Sequence, residues 1–145
     1  MKRLVVICLL SILSIAELVN CKLSILPERP TELTLQTMHA ELQCCNVAHA
    51  DIVLAQAVLE TGWFASNVCK TYNNCFGIMS WQTYDYAKFD KWQDSVIAYR
   101  DRVQYKYDSS KHDDYYAFLT DIGYAEDPDY IVKLKQVVKS VHKRL

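Results

Sequence analysis

Glu60 has the clearest chemical profile of any side chain in this sequence. It directly follows an apolar run in which Ile52, Ala55 and Leu59 recur at helical spacing. Because Gly62 comes two residues later, the run predicts a buried helix that ends close to Glu60. Burial removes a carboxylate from water, and the negative end of a helix dipole disfavours its charge, so we expect a raised pKa for Glu60. A carboxyl group that keeps its proton near neutral pH is suited to act as a general acid.

A second group of side chains able to contact a ligand lies in residues 78–91, which are rich in aromatic residues. Trp81 and Tyr86 flank Asp85, and this mixture predicts a small exposed β-hairpin with Asp85 near its tip. Aromatic rings stack on the apolar faces of sugars, so a hairpin beside an acid favours a carbohydrate-binding cleft. A satellite hydrophobic cluster is the alternative interpretation of the same rings. Asp94, just beyond the hairpin, is better explained as a helix cap.

The rest of the chain is predicted to be helical and to hold Glu60 in place. Apolar residues at spacings of three and four predict further helices on both sides of it, and Asp127 followed by Pro128 predicts the start of the last one. The fold class is therefore mainly α, with one small β-hairpin lobe beside the cleft. The predicted helices span residues 32–45, 51–60, 64–72, 94–107, 113–121 and 128–144.

The length, composition and net charge of the chain narrow the range of folds and functions to be considered. Its 145 residues correspond to one domain, and half of them are apolar or aromatic, which is enough to bury a core. The formal net charge is −1 and the pI is about 6.4, so no basic face for nucleic acid is predicted. Cys44, Cys45 and His49 match no zinc-ligand spacing, and we predict neither a metal nor a cofactor. A monomer is expected.

Residues 1–21 are typical of a signal peptide. Basic residues precede an apolar run that an acidic residue interrupts too early for a membrane span. We therefore expect an exported protein of the periplasm or cell envelope. Cys21 ends a lipobox-like tetrapeptide, so a lipid anchor at Cys21 is the alternative to plain secretion. Residues 22–30 then form a linker, and residues 31–145 form the folded domain.

Cysteine parity bears on the same question. Loss of the signal peptide's apolar run leaves five of the six cysteines, an odd number for an oxidising compartment, and lipidation of Cys21 would leave four to pair. Cys69 and Cys75 bracket the loop that follows the helix of the candidate acid. A bridge between them would rigidify the floor of the cleft. Cys44 or Cys45 is an alternative partner for either.

Four short motifs follow one another between residues 35 and 141. They are A-Q-x-x-L-E-T-G-W at 55–63, N-x-F-G-I at 74–78, the aromatic-rich predicted hairpin, and G-Y-A-E-D-P-D-Y at 123–130. Each of the chain's three glycines lies inside one of them. The ordered set resembles the bacterial glucosaminidase family, glycoside hydrolase family 73, which is related to flagellar and autolysin peptidoglycan hydrolases.

This resemblance implies a lysozyme-like α+β arrangement. It also implies a peptidoglycan hydrolase that cleaves the β-1,4 bond following N-acetylglucosamine in the glycan strand. Glu60 would protonate the leaving oxygen, and Tyr124 would stabilise positive charge developing on the sugar ring. A corner tyrosine bonded to backbone is the alternative for Tyr124. The side chains expected to bind substrate are Trp63, Asn74, Phe76, Trp81 and Tyr86.

A second catalytic carboxylate is harder to place in this sequence. Glycosidases normally use two Asp or Glu residues, and the resemblance implies that one lies on the aromatic hairpin, often as glutamate. No glutamate occurs between Glu60 and Glu126, so Asp85 is the candidate on the hairpin. Because aspartate is one methylene shorter, we expect the substrate's own 2-acetamido group to act as the nucleophile, with Asp85 in a lesser role.

Two other functions are compatible with the same sequence. A muramidase or lytic transglycosylase would use the same fold on the neighbouring glycosidic bond, and the new reducing end of its products would distinguish it. A catalytically inactive glycan-binding module would keep the cleft without hydrolysis, but the presence of Glu60 argues against it.

Overall fold

The computed structural model describes residues 29–112 and 114–145. The predicted signal peptide, its Cys21 anchor and most of the linker therefore lie outside the described residues. The chain divides into Met1–Thr31 and Glu32–Leu145, and every helix given below belongs to the second unit. Among the described residues, no helix combines the length and the apolar character needed to cross a bilayer.

The described fold is mainly helical, as the spacing of apolar residues predicts. Each predicted helix corresponds to a helix of the structure, although the ends differ by a few residues. The elements are α1 (Leu35–Cys44), α2 (Ala50–Thr61), α3 (Asn67–Tyr72), α4 (Trp92–Arg102), a 3₁₀ turn (Gln104–Lys106), α5 (Tyr115–Asp121) and α6 (Tyr130–His142).

Helix α2 lies at the centre of the domain. Residues 53–58 are all buried, so the helix is covered on every side rather than along one stripe. Helices α1 and α6 both pack against it, and Leu42 of α1 and Leu134 of α6 are fully buried. Because Glu60 belongs to the last turn of this helix, its backbone position is fixed by close packing.

The end of α2 confirms the helix stop predicted at Gly62. Gly62 caps the helix with φ 56°, in the left-handed region where a side chain is disfavoured. Trp63 and Phe64 continue in that region with φ of 62° and 63°, and the Trp63 amide donates to the Val58 carbonyl at 2.9 Å. This left-handed turn uses residues predicted as helical, so α3 begins at Asn67 instead.

Residues 78–91 form a loop with almost no strand, and the predicted β-hairpin lobe is not shown by the structure. A single antiparallel bridge pairs Met79 with Tyr86, and a turn of exposed residues connects them. Beside the bridge, the Ala87 amide donates to the Ile78 carbonyl at 2.8 Å. Few apolar side chains of this segment reach the core, and an isolated two-stranded pair is only marginally stable in water. The aromatic side chains therefore lie on a loop that is anchored at its base.

The start of α6 also differs from the prediction. The helix begins at Tyr130 with Asp129 as its N-cap residue, and not at Asp127 and Pro128. The Asp127 carboxylate instead accepts from the Asp129 amide at 2.9 Å and pairs with Lys133. Asp127 therefore stabilises a turn that comes directly before the helix.

Helix α4 shows a similar displacement of its cap. Lys91 occupies the N-cap position, and Asp94 lies in the first turn, where its carboxylate accepts from the Lys91 amide at 3.3 Å. Asp94 thus caps the helix from within it. The helix predicted up to residue 107 breaks at Val103, and the chain continues as the 3₁₀ turn.

Candidate active site

A cleft of about 980 Å³ opens at the C-terminal end of α2. Four parts of the chain form its walls: the end of α2, residues 76–86, the end of α4, and residues 124–126 before α6. Residues 78–86 of the second part belong to the loop of residues 78–91, called the aromatic loop below. Its lining is mostly apolar and aromatic, with a small number of charged groups. This combination is typical of sites that bind small molecules or sugars.

Glu60 opens onto this cleft from the last turn of α2. Its side chain is exposed toward the cleft, while the protein behind it partly removes the carboxyl group from water. Burial raises the pKa of the Glu60 carboxyl, and a hydrogen bond from Tyr130 opposes part of that increase. The burial effect is the larger one. Glu60 therefore holds its proton to higher pH than a fully solvated carboxyl group, as a general acid requires.

Tyr130 is in direct contact with Glu60. Its hydroxyl donates to Glu60 Oε1 at 3.0 Å, and Gln56 Nε2 donates to the Tyr130 hydroxyl at 3.4 Å. Burial and the Glu60 charge raise the pKa of Tyr130, so its hydroxyl remains protonated. Neither Tyr130 nor Gln56 is among the site residues predicted from the sequence. Both occupy positions in the motifs, and that signal was sufficient to single them out.

Tyr124 lines the cleft beside Glu60, as predicted. Its ring lies between those of Tyr99 and Tyr130, with centroid distances of 6.3 Å and 5.6 Å. Burial raises the pKa of the Tyr124 hydroxyl, and the neighbouring Tyr130 and Glu60 add to the increase. Its hydroxyl makes no hydrogen bond to backbone of the described residues, unlike a corner tyrosine. A neutral hydroxyl is therefore available to a ligand next to the candidate acid.

The aromatic loop brings two of the predicted side chains, those of Trp81 and Tyr86, to the cleft. Trp81 and Tyr86 expose 82% and 41% of their surface, and Tyr84 beside them exposes 89%. Several large exposed rings in one wall are typical of a binding surface. Phe76 is buried instead, and its ring packs on Tyr99 with centroids 4.6 Å apart, so it forms part of the cleft floor.

Asn74 and Trp63 lie outside the cleft, in contrast to the substrate contacts expected of them. The buried Asn74 amide donates to the carbonyls of Ile78 and Ala87 and accepts from the Ile78 amide, so it ties the two ends of the aromatic loop together. Trp63 is partly exposed, and the Arg144 guanidinium lies 4.1 Å from its ring centroid. The structure thus gives Asn74 a role in shaping the loop and gives Trp63 a contact with the chain's C-terminal end.

Asp85 also does not line the cleft. It borders a separate, smaller depression on the other side of Tyr86, together with Thr71 and Tyr72. Its carboxylate accepts from the Tyr86 amide at 2.7 Å, which stabilises the turn of the aromatic loop. The structure therefore separates Asp85 from Glu60.

Glu126 and Arg102 are charged residues of the cleft that the sequence analysis did not assign to the site. Both line the cleft, and neither forms an ion pair or hydrogen bond with another described residue. Glu126 lies inside the last motif, two residues after Tyr124, and this proximity was a signal in the sequence. Arg102 lies at the end of α4 in no motif, and nothing in the sequence connects it with the site.

Cys69 and Cys75 lie together behind the cleft floor. Both are buried free thiols, and their Sγ atoms are 3.8 Å apart. Their contact lowers the pKa of the Cys69 thiol, and the same contact together with burial raises that of Cys75. Cys75 directly precedes Phe76, so this pair supports the floor. Within residues 29–112 and 114–145, no three His, Cys, Asp or Glu side chains form a group suited to a metal ion.

The residues that form the helices and the cleft also match a known protein family. A family model described as glucosaminidase, mannosyl-glycoprotein endo-beta-N-acetylglucosaminidase, matches residues 36–143. The matched segment contains every cleft residue named above and all four motifs. No curated protein matches the chain. The family model covers well over half of the chain, and its match extends over nearly the whole helical domain.

Proposed function

The chain belongs to the glucosaminidase family of glycan hydrolases, and on this basis we propose that it is an endo-β-N-acetylglucosaminidase acting on peptidoglycan. The bond to be cleaved is the β-1,4 bond that follows N-acetylglucosamine. The observation that carries the proposal is Glu60, a carboxyl group with a raised pKa at the edge of an aromatic-lined cleft. A carboxyl group that holds its proton to higher pH than a solvated one, and that a sugar can reach, is suited to protonate a glycosidic oxygen.

In the proposed reaction, Glu60 donates its proton to the glycosidic oxygen as the bond to the anomeric carbon breaks. The carbonyl oxygen of the substrate's own 2-acetamido group attacks the anomeric carbon from the opposite face and forms a cyclic intermediate. The ionised Glu60 then takes a proton from water, and the water oxygen opens that intermediate. Two displacements at one carbon leave the product with its original anomeric configuration.

The position of Asp85 supports substrate assistance over a nucleophilic aspartate. Asp85 lies outside the cleft and uses its carboxylate in the turn of the aromatic loop. Glu126 is the carboxylate that shares the cleft with Glu60 among the described residues. In the proposed mechanism Glu126 accepts a hydrogen bond from the acetamido N–H, which orients its carbonyl oxygen toward the anomeric carbon. Tyr124 lines the cleft beside Glu60, and in the proposed mechanism its hydroxyl oxygen stabilises the positive charge that develops on the sugar ring.

The charge and shape of the cleft support an anionic glycan strand as the substrate. The exposed rings of Trp81, Tyr84 and Tyr86 offer stacking surfaces for successive sugars. Arg102 is the basic residue of the cleft lining among the described residues, and it has no ion-pair partner there. Muramic acid and its stem peptides carry carboxylates, which a guanidinium binds in a bidentate manner.

Export belongs to the same proposal. A peptidoglycan hydrolase must reach the cell wall, and residues 1–21 are typical of a signal peptide. We place the mature protein in the periplasm or cell envelope, either secreted or anchored through a lipid on Cys21. Mass spectrometry of the N-terminal peptide of the mature protein tests both forms.

The test of the proposed function is digestion of purified peptidoglycan with the mature protein and with Glu60→Gln. Gln keeps the shape of the side chain and its bond from Tyr130 but has no proton to donate, so we expect the rate to fall roughly 10²–10⁴-fold. Asp85→Asn is the matched control, since it makes the same carboxylate-to-amide change outside the cleft. Unchanged turnover in a folded Glu60→Gln variant contradicts the proposal.

The products of that digestion identify the reaction. N-Acetylglucosamine at the new reducing end supports the proposed function. Muramic acid at that end indicates a muramidase, and its anhydro form indicates a lytic transglycosylase. Binding of the glycan without any cleavage indicates a binding module.

A further inference from the structure

A continuous chain of hydrogen bonds, buried in its central part, runs from the backbone at Ala48 to Glu60. It begins at Gln104, whose amide is fixed in both directions: Nε2 donates to the Ala48 carbonyl, and Oε1 accepts from the Ala48 amide, each at 2.8 Å. A backbone N–H only donates and a carbonyl only accepts. The orientation of the Gln104 amide is therefore determined by the backbone and cannot reverse without loss of both bonds.

Two tyrosine hydroxyls extend the chain. The second hydrogen of Gln104 Nε2 is donated to the Tyr115 hydroxyl at 3.1 Å. The hydroxyls of Tyr115 and Tyr99 are 2.9 Å apart, and Tyr99 donates its proton to Gln56 Oε1 at 2.7 Å. Because Tyr99 has one hydroxyl proton and uses it on Gln56, the proton between the two tyrosines must come from Tyr115.

Gln56 on α2 continues the same donor-to-acceptor direction toward Glu60, the candidate acid. Its Oε1 accepts from Tyr99, so its Nε2 faces Tyr130 and donates to that hydroxyl at 3.4 Å. Tyr130 in turn donates its single proton to Glu60 Oε1 at 3.0 Å. From the bond between Gln104 and Tyr115 onward, every bond in the chain thus points toward Glu60. Gln56 and Tyr99 are fully buried, so water does not compete for these bonds.

We propose that this polarised chain is a positioning device that decides which oxygen of Glu60 holds the catalytic proton. Because the Tyr130 hydroxyl donates its proton to Oε1, Oε1 is an acceptor. The proton of the neutral Glu60 carboxyl group therefore resides on Oε2. A chain of the opposite direction would present the Tyr130 oxygen as an acceptor. Glu60 would then donate its proton to Tyr130 rather than to a substrate in the cleft. This inference rests on the proposed role of Glu60 as the acid, but its test does not require turnover.

The test is the pKa of Glu60, measured by carbon NMR of its side-chain carboxyl group. The other groups that act on this carboxyl are Tyr130 and Tyr124, while Arg102 and Glu126 share its cleft and are left unchanged. Tyr130→Phe removes the donated bond, so we expect the pKa of Glu60 to rise and kcat to fall roughly tenfold with little change in KM. Gln56→Met does not touch Glu60, yet we expect a smaller rise because Tyr130 is no longer held as a donor.

Tyr99→Phe gives a second, milder interruption of the chain should Gln56→Met fold poorly. Tyr107→Phe is the matched control, because its hydroxyl binds His49 and not the chain, although its ring packs on Tyr115. A purely structural role predicts that Gln56→Met and Tyr99→Phe lower stability without moving the pKa of Glu60, and that result overturns the inference. Shifted pKa values in a protein that hydrolyses no glycan support the chain and contradict the proposed function.

Discussion

At the scale of single residues, the carboxyl group of Glu60 is subject to two opposing effects. Burial raises its pKa, and the bond from Tyr130 lowers it by a smaller amount. A folded-state pKa above the unfolded value means that the folded protein binds this proton more tightly. Ionisation at higher pH therefore costs the folded state free energy, which it recovers when the group is protonated. Catalytic groups are often held at such a cost to stability.

This cost predicts the effect of Glu60→Gln on stability. The variant cannot ionise, so its Tm should exceed that of the wild type near neutral pH. The difference should disappear as the pH falls below the ordinary carboxyl pKa of about 4.3, because both forms are then neutral. Thermal unfolding followed by circular dichroism across this pH range is the measurement. A variant less stable than the wild type at neutral pH would show that Glu60 stabilises the fold.

The two remaining acidic candidates give opposite expectations. Glu126→Gln should lower kcat by roughly tenfold or more, because Glu126 shares the cleft with Glu60 and is proposed to orient the acetamido group. Asp85→Asn should change it by no more than about twofold, since Asp85 serves the loop turn. Both rates are measured on one peptidoglycan fragment, and NMR of the first product should show retained configuration. An inverted product with Asp85→Asn as damaging as Glu60→Gln would restore Asp85 as a true base.

At the scale of elements, the aromatic loop shows where sequence patterns fail. Alternation of aromatic and polar residues predicts strands, but a strand requires a paired neighbour and a buried face. Residues 81–86 are all exposed, and among them only Tyr86 is paired, in the single bridge to Met79. The loop is instead ordered by the buried amide of Asn74, which bonds both of its ends. A side chain that replaces a ladder of backbone bonds leaves no periodic signal. The helices were predictable because their apolar spacing is periodic over two or more turns.

The buried thiols lie between α3 and this loop, and they carry a prediction about the mature protein. Cys69 and Cys75 are already in contact, so little movement is needed to form a bridge in an oxidising compartment. We expect both to resist alkylation in the oxidised protein, and we expect reduction to lower the free energy of unfolding by roughly 2 kcal/mol. Cys44→Ser is the control, because its exposed thiol should not alter either result. Labelling of Cys69 and Cys75 without reductant contradicts the bridge.

At the scale of the whole molecule, the cleft combines residues from four parts of the chain. Glu60 and Tyr124 were predictable, since each lies in a motif and Glu60 ends a recognisable helix. Arg102 was not, because it becomes part of the site only through the packing of α4, and a lone arginine at a helix end ordinarily complements the helix dipole. Trp63 was predicted to bind substrate because it lies in a motif, and that prediction fails. The left-handed turn after Gly62 directs its side chain away from the cleft.

The charge that Arg102 adds to the cleft yields a prediction about substrate preference. A guanidinium that lines the cleft without a protein partner should favour a carboxylate over the corresponding amide. We expect the wild type to hydrolyse carboxylate-bearing glycan fragments with a kcat/KM roughly tenfold above that for amidated fragments of equal length. Arg102→Gln should bring this ratio close to one. Arg100→Gln is the matched control, because Arg100 lies on the same helix end but is paired with Asp101 outside the cleft. An unchanged ratio of kcat/KM values in Arg102→Gln would show that Arg102 only stabilises the end of α4. An equal fall of the ratio in Arg100→Gln would show that the preference comes from the general positive charge of the helix end.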